Sequence, residues 1–260
     1  MEFGIRGKYA LVTGGSRGIG RSVALLLAGE GCHVAICARG QSDIDRTLAE
    51  IKKLNVEVIG IATDLTKPDS PRDVLEKIGN SWGALHILVN NVGGGGRWGQ
   101  PTVEDNSDEV WLEVYNKNTM TAVRFTREVL PWMRNQKWGR IVTVTSIYGK
   151  EGGGRPWFNM AKAAQTSLMK CLALDRDITR CNITCNSVAP GPIMIPGTGW
   201  ENEQKNDPVA FERMMKDQLT LGRLGTPDEV ANVVGFLCSE RASLVNGAAI
   251  AVDGGESRSF

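Results

Sequence analysis

Hydrophobic positions along the chain form short, nearly continuous runs that alternate with longer amphipathic stretches. Short apolar runs bounded by glycine and polar residues are typical of strands that are buried on both faces of a parallel sheet. The runs predict strands over residues 9–13, 33–38, 56–62, 87–90, 140–145, 184–189 and 248–252.

The stretches between the predicted strands repeat their apolar residues with helical spacing. They predict helices that include residues 19–28, 43–54, 107–116, 119–134, 158–178 and 227–239. This alternation indicates an α/β protein in which a doubly wound parallel sheet of about seven strands carries helices on both faces. Because no linker or repeat divides the chain, we expect residues 1–260 to form a single domain.

Two stretches interrupt the alternation, and each follows a predicted strand. The first, residues 93–99, is rich in glycine, and the second, residues 191–217, is rich in proline and glycine near its start. Ligands of open parallel sheets bind beyond the carboxyl ends of the strands. We therefore expect both stretches to be binding loops, and the second is long enough to act as a substrate loop that closes over the site.

Composition and charge exclude several classes of protein. The 260 residues are 42% hydrophobic and 23% charged, as in an ordinary globular domain, and the net charge of +1 provides no field for nucleic acid or an anionic membrane. No apolar run approaches the roughly 20 residues that span a bilayer. The six cysteines are scattered without a CxxC pair, so we expect no metal site, reduced thiols and a cytoplasmic location.

The turn between the first predicted strand and helix reads Thr-Gly-Gly-Ser-Arg-Gly-Ile-Gly over residues 13–20. Glycines permit a tight turn and let the backbone approach a pyrophosphate, and the helix N-terminus presents free N–H groups to it. A strand before the turn and a helix after it are the context in which this pattern indicates dinucleotide binding. The predicted contacts are Gly14, Ser16, Arg17, Gly18, Ile19 and Gly20.

The end of the second predicted strand indicates which dinucleotide is bound. NAD sites usually place an acidic residue there to bind the ribose 2′-hydroxyl, whereas this chain has Arg39. The guanidinium group of Arg39 can bind a 2′-phosphate, and Arg17 can reach the same region from the glycine turn. The sequence therefore predicts NADP(H) as the cofactor.

Further motifs occur in order along the chain. They are Asp64-Leu65, Asn90-Asn91-Val92-Gly93, Pro190-Gly191, Val245-Asn246-Gly247 and Val252-Asp253-Gly254-Gly255. Together with the glycine turn, they resemble the classical short-chain dehydrogenases/reductases over essentially the whole length of the chain. The general likeness within that family is to NADPH-dependent ketoreductases, such as β-ketoacyl carrier-protein reductases.

The resemblance implies a Rossmann-type fold, an NADP(H) cofactor and a small-molecule carbonyl or alcohol substrate. It adds Asp64, Leu65, Asn91, Gly93, Lys162, Pro190 and Gly191 to the predicted cofactor contacts. The family often places a threonine after Pro-Gly to bind the nicotinamide carboxamide, but here the side chains are apolar. We therefore expect the backbone near Ile193 to hold that group.

The family's catalytic side chains are an asparagine, a serine, a tyrosine and a lysine. Asn118, Ser146 and Lys162 match three of these positions, but Phe158 stands where the family has tyrosine. Positions 158 and 162 share one helix face because they lie four residues apart. A phenyl ring cannot transfer a proton, and loss of a positioned acid–base group costs roughly 10²–10⁴-fold in rate.

Three explanations for Phe158 remain open from the sequence. Phe158 is an engineered replacement of tyrosine that traps a substrate, or it is native and another group supplies the proton. Tyr148, two residues after Ser146, is the only obvious phenol near the expected site. In the third explanation, the chain is an NADP(H)-binding protein that has lost catalysis and acts as a binding or regulatory subunit.

Aromatic and basic residues near the expected site predict the character of the substrate pocket. We expect aromatic walls and anion contacts from Trp98, Tyr148, Trp157, Trp200, Arg97, Lys150 and Arg155.

The predicted helices over 119–134 and 158–178 resemble the pair that forms the family's dimer contact, and the C-terminal segment resembles its second interface. We therefore expect a homotetramer, with a dimer as the alternative.

Overall fold

The central element of the fold is one parallel sheet of seven strands. The computed structural model describes residues 2–100 and 102–259. The strands are β1 (Tyr9–Thr13), β2 (His33–Ala38), β3 (Val58–Ala62), β4 (Ile87–Asn90), β5 (Gly139–Val144), β6 (Ile183–Pro190) and β7 (Ala249–Val252). Their order in the sheet is β3-β2-β1-β4-β5-β6-β7, which confirms the doubly wound Rossmann-type architecture.

Helices cover both faces of the sheet. They are α1 (Gly18–Gly29), α2 (Gln41–Lys52), α3 (Ser70–Trp82), α4 (Asp108–Tyr115), α5 (Thr121–Gln136), α6 (Pro156–Leu174), α7 (Arg176–Thr179), α8 (Gly199–Asn206), α9 (Pro208–Gln218) and α10 (Pro227–Cys238). Alternate strand residues face opposite sides. Val12 of β1 belongs to the core formed with α1, α2 and α10, whereas Leu11 belongs to the core formed with α3, α5 and α6.

The structure corrects two of the predicted elements. The helix predicted over 158–178 is interrupted at Asp175, whose extended backbone ends α6 and whose side chain accepts a hydrogen bond from the Asp177 amide (2.8 Å) at the start of α7. The predicted substrate loop over 191–217 contains α8 and α9. Across residues 2–100 and 102–259, no helix is long and apolar enough to cross a membrane.

The strand order creates a crevice at the carboxyl edge of the sheet. From β1 the chain proceeds outward through β2 and β3, and then returns to place β4 on the other side of β1. The Asn91 amide N–H, just after β4, donates to Thr13 Oγ1 at the end of β1 (3.0 Å). This bond fixes the two strand ends beside each other at the switch point, where ligands of such sheets bind.

Candidate functional site

The glycine turn at the end of β1 is closed too tightly for side chains. Gly14 adopts a positive φ of 66°, and a Cβ at Gly20 would lie 2.3 Å from the Gly14 carbonyl oxygen. The Asn91 Nδ2 amide donates to the carbonyl oxygens of Thr13 (3.0 Å) and Gly14 (3.2 Å). These contacts hold the turn and the start of α1 as one wall of the crevice.

Two cavities that share lining residues occupy the crevice. The first, of about 490 Å³, is lined by Gly14, Ser16, Asp64 and Leu65 among others. The second, of about 840 Å³, includes residues from the glycine turn, from α6 and from the segment after β6. Its sequence-predicted members are Gly18, Ile19, Ser146, Phe158, Lys162, Pro190, Gly191 and Ile193. The structure thus brings the predicted cofactor contacts together with Ser146, Phe158 and Lys162 in one crevice, with Gly20 packed beneath the turn. Among the described residues, the predicted Asn118 and Tyr148 are not in the lining of either cavity.

Six residues line both cavities, and we call them the neck residues. They are Arg17, Arg39, Asn91, Gly93, Trp98 and Lys117. A ligand that extended from one cavity to the other would pass these residues. Three of them are cationic, so the neck suits an anionic bridge within an elongated ligand.

Asp64 supplies a carboxylate to the first cavity. Its Oδ1 accepts hydrogen bonds from the Thr66 amide (3.1 Å) and the Thr66 hydroxyl (2.8 Å). These bonds, with a smaller contribution from the nearby charges of Arg39 and Lys67, hold the pKa of Asp64 below its usual value. Asp64 is therefore an ionised hydrogen-bond acceptor at neutral pH.

Asn118 lies in a π-helical turn, Asn116–Met120, between α4 and α5. Its Oδ1 accepts from the Gly94 amide (3.1 Å), and its Nδ2 donates to the carbonyl oxygens of Gly94 and Val114, each at 2.8 Å. Single π-helical turns occur often at functional sites. Here the turn places Asn118 against the glycine-rich segment. The asparagine side chain binds both the backbone amide and the backbone carbonyl group of Gly94 in that segment.

Ser146 and Lys162 converge on the second cavity from β5 and α6. Ser146 lies two residues after the carboxyl end of β5, and its Oγ accepts a hydrogen bond from the Tyr148 amide (3.2 Å). Lys162 is 4% exposed, and its Nζ donates to the Val144 carbonyl oxygen (3.1 Å). Burial lowers the pKa of Lys162 to about 7.

Phe158 lies one helical turn before Lys162 and faces the same cavity. The Lys162 Nζ is 5.6 Å from the centre of the Phe158 ring, and a Cβ at Gly96 would lie 3.5 Å from that ring. The predicted sharing of one helix face by these two positions agrees with this geometry. The ring contributes an apolar wall and a cation–π contact, but no proton donor.

Two aromatic residues lie elsewhere than the sequence suggested. Trp157 is 1% exposed and packs edge-on against Trp111, with ring centres 5.4 Å apart, so it is a core residue rather than a pocket wall. The Tyr148 ring lies against the turn at residues 153–154, where a Cβ at Gly154 would come within 2.8 Å of it. Within the described residues, Tyr148 is not among those that line the second cavity.

The segment after β6 closes the second cavity from outside. Arg97 Nη1 forms an ion pair with Glu203 Oε1 of α8 (2.6 Å), and the Arg97 guanidinium lies 4.9 Å from the centre of the Trp200 ring. Arg97 thus joins the glycine-rich segment to α8. The sequence suggested that Arg97 binds an anionic group of the substrate. In the structure, its guanidinium group is already paired with the carboxylate of Glu203.

Lys117 is a site residue that sequence reasoning missed. It precedes Asn118, and its Nζ lies 4.1 Å from the centre of the Trp98 ring. The one feature of the sequence that could have identified Lys117 is its position next to Asn118, a predicted catalytic residue. The direction of its side chain depends on the π-helical turn, which the sequence pattern did not predict.

The sheet order and the polar groups collected at its carboxyl edge define a Rossmann-type α/β protein. Comparison with known proteins then identifies the family. The family model described as enoyl-(acyl carrier protein) reductase matches residues 14–257. The chain belongs to the short-chain dehydrogenase/reductase family of oxidoreductases, as its motifs indicated.

Individual relatives cover nearly the whole chain. The chain is 35% identical to the 3-oxoacyl-(acyl-carrier-protein) reductase FabG of Pseudomonas aeruginosa over 257 residues, which is 96% of this chain and 98% of that protein. L-sorbose reductase from Gluconobacter frateurii, solved with NADPH and L-sorbose, superposes with a TM-score of 0.91 at 32% identity and full coverage of both chains. A single-residue variant of the actinorhodin polyketide ketoreductase, solved with NADPH, has a TM-score of 0.87 at 31% identity, covering 97% of this chain and 98% of that chain.

Proposed function

We propose that the protein is an NADP(H)-dependent oxidoreductase that interconverts a ketone and a secondary alcohol. The observation that carries the proposal is the convergence of Ser146 and Lys162 on a cavity that shares the neck residues, three of them cationic, with a second cavity. The names of its relatives support the same chemistry, since FabG is a 3-oxoacyl reductase and the sorbose reductase was solved with NADPH and a sugar.

The residues present fit an NADP(H) molecule. The lack of room for a Cβ at Gly20 lets the start of α1 pack closely against the end of β1, which directs the helix N-terminus into the crevice, and the exposed Arg39 after β2 suits a 2′-phosphate. Asp64 and Leu65 line the first cavity, and the family resemblance gives their position a contact with adenine. When bound, the cofactor supplies or accepts a hydride.

On the substrate side, each residue has a defined task. Ser146 Oγ can donate a hydrogen bond to a carbonyl oxygen in the second cavity, which would stabilise charge that develops on that oxygen. Asn118 holds the glycine-rich wall of that cavity. Lys162 contributes a buried ammonium group beside Phe158, in a position to bind a cofactor hydroxyl.

Phe158 leaves the proton transfer without the family's donor. Tyr148, the alternative phenol, rests on the turn at residues 153–154, so its use would require the ring to rotate toward the cavity. We therefore propose that this chain turns over slowly, whether Phe158 is an engineered or a natural replacement. A protein that only binds NADP(H) is the second candidate, and Phe158 is the observation that favours it.

The substitution Phe158→Tyr tests the proposal. The added hydroxyl restores a proton donor next to Lys162, so we expect the rate of ketone reduction to rise by roughly 10²–10⁴-fold. Reduction of a panel of 3-oxoacyl thioesters, keto sugars and cyclic ketones would be followed by oxidation of NADPH and, separately, of NADH. We expect NADPH to be the better cofactor.

The matched control is Phe158→Leu, which alters the same wall without adding a hydroxyl and should not raise the rate. If Phe158→Tyr binds NADPH but reduces no ketone on the panel, the proposal of an enzyme is wrong. The second candidate, a protein that only binds NADP(H), is then favoured. Equal rates with NADH and NADPH would show that Arg39 does not bind the 2′-phosphate.

A further inference from the structure

Lys117 occupies an unusual electrostatic position in the neck. It is half-buried and faces both cavities, and its pKa is lowered first by burial and then by the positive charge of Arg39. Glu113 and Asp64 offset this effect only in part. In the described part of the chain, no carboxylate lies within 4.0 Å of Lys117 Nζ or of the Arg39 guanidinium, whereas Arg17 is paired with Asp43 (2.6 Å).

Two unpaired cations that repel each other across a cavity create a site of positive potential. Such an arrangement costs free energy in the empty protein, and an anion placed between the cations removes that cost. Because Lys117 and Arg39 both line the two cavities, the anion they suit belongs to a ligand that occupies both.

Trp98 fixes the ammonium group of Lys117 in this position. The Lys117 Nζ lies 4.1 Å from the centre of the Trp98 ring, and a Cβ at Gly94 would approach that Nζ to 3.4 Å. A cation over an indole face is attracted by the negative face of the ring. The indole also covers the neck on the solvent side, with 37% of its own surface exposed.

We propose that Lys117, held by Trp98, binds a phosphate group of the dinucleotide at the neck. This inference rests on the proposed NADP(H) function and assigns to its site a cation that the family motifs do not include. The phosphate is either in the diphosphate bridge or the 2′-phosphate, and the experiment separates these two sources.

The test measures binding of reduced cofactor to the purified protein by its fluorescence, without substrate. Lys117→Met removes the charge but keeps much of the side-chain length, and we expect the dissociation constant for NADPH to rise about tenfold, as for loss of a charged hydrogen bond. Lys117→Arg should restore most of the affinity. Trp98→Leu should weaken binding by a smaller factor, since it removes only the support for the ammonium group.

Lys77→Met is the matched control, because it removes one exposed lysine from α3 and changes the net charge equally. A parallel titration with NADH locates the phosphate. An equal loss of affinity for NADH and NADPH assigns Lys117 to the diphosphate, and a loss confined to NADPH assigns it to the 2′-phosphate.

The proposal is overturned if Lys117→Met binds NADPH within twofold of the unaltered protein, or no more weakly than Lys77→Met. If the unaltered protein binds neither cofactor, the proposed function itself fails. The two failures are therefore distinguishable in one set of titrations.

Discussion

At the residue scale, Lys162 has the most consequential environment in the site. Its ammonium group is buried, donates to the Val144 carbonyl oxygen and otherwise faces the Phe158 ring. In a site with tyrosine at position 158, the phenol oxygen would be a further polar neighbour. The phenyl ring leaves the charge less well solvated, which agrees with the lowering of the pKa to about 7.

This pKa predicts how stability depends on pH. An unfolded lysine has a pKa of about 10.4, so between pH 7 and pH 10 the unfolded state binds more protons than the folded state. The contribution of Lys162 to the free energy of unfolding therefore rises with pH, by at most roughly 1.4 kcal/mol per pH unit. Lys162→Met lacks this contribution. As the pH is lowered from 9 to 6, we therefore expect the free energy of unfolding of Lys162→Met to increase relative to that of the unaltered protein.

Urea unfolding at pH 6, 7, 8 and 9 would measure the difference between the two proteins. Lys170→Met is the control, since Lys170 is an exposed lysine on the same helix and its loss should leave the pH profile unchanged in shape. Parallel profiles for Lys162→Met and the unaltered protein would show that Lys162 has an ordinary pKa.

At the scale of elements, the segment after β6 is a small unit with its own packing. Phe211 and Met215 of α9 form a hydrophobic cluster with Leu224, separate from the cores on the two faces of the sheet. The ion pair between Arg97 and Glu203 joins this unit to the glycine-rich segment. Movement of α8 away from the glycine-rich segment would have to break this contact.

Glu203→Gln should make opening of this unit more frequent. Ion pairs with exposed side chains contribute about 0.2–1 kcal/mol, so we expect cleavage by a protease within residues 199–218 to accelerate by up to about fivefold. The control is Glu212→Gln, because the partner of Glu212 is Lys216 of the same helix. Equal cleavage rates for the two variants would show that the Arg97 contact does not restrain α8.

At the scale of the whole molecule, large apolar side chains remain exposed away from the crevice. Leu174 at the end of α6 is 71% exposed, and Leu244, just before β7, is 96% exposed. These positions lie on the two segments that the sequence analysis assigned to subunit interfaces. The homotetramer stays a prediction, and these side chains suggest how to test it.

We expect the native mass in solution, measured by light scattering after gel filtration, to be that of four chains. Leu174→Asp and Leu244→Asp each place a charge in one predicted interface, so each should reduce the assembly to dimers, and the double variant should be monomeric. Val209→Asp on α9 is the control, since Val209 is 79% exposed but lies outside both predicted interfaces. A monomeric unaltered protein would contradict the prediction.

Much of the fold was predictable from local sequence. The apolar runs predicted the strands, six of them at the observed bounds or within one residue at each end, because strands buried on both faces leave a continuous apolar signature. The glycine turn was predictable because a positive φ at Gly14 and the contact at Gly20 exclude other residues. The helices α8 and α9 were missed, since proline and glycine at the start of their segment resemble an irregular loop.

The sequence by itself determined the alternation of elements, the glycine turn, the positions of Asn118, Ser146 and Lys162, and the absence of a phenol at position 158. Each depends on residue type and spacing along one element. Only the tertiary structure decided that Trp157 is buried, that Arg97 is paired with Glu203, and that Lys117 faces Arg39 beneath Trp98. These features join residues from different elements, so they depend on packing between elements, which no local pattern contains.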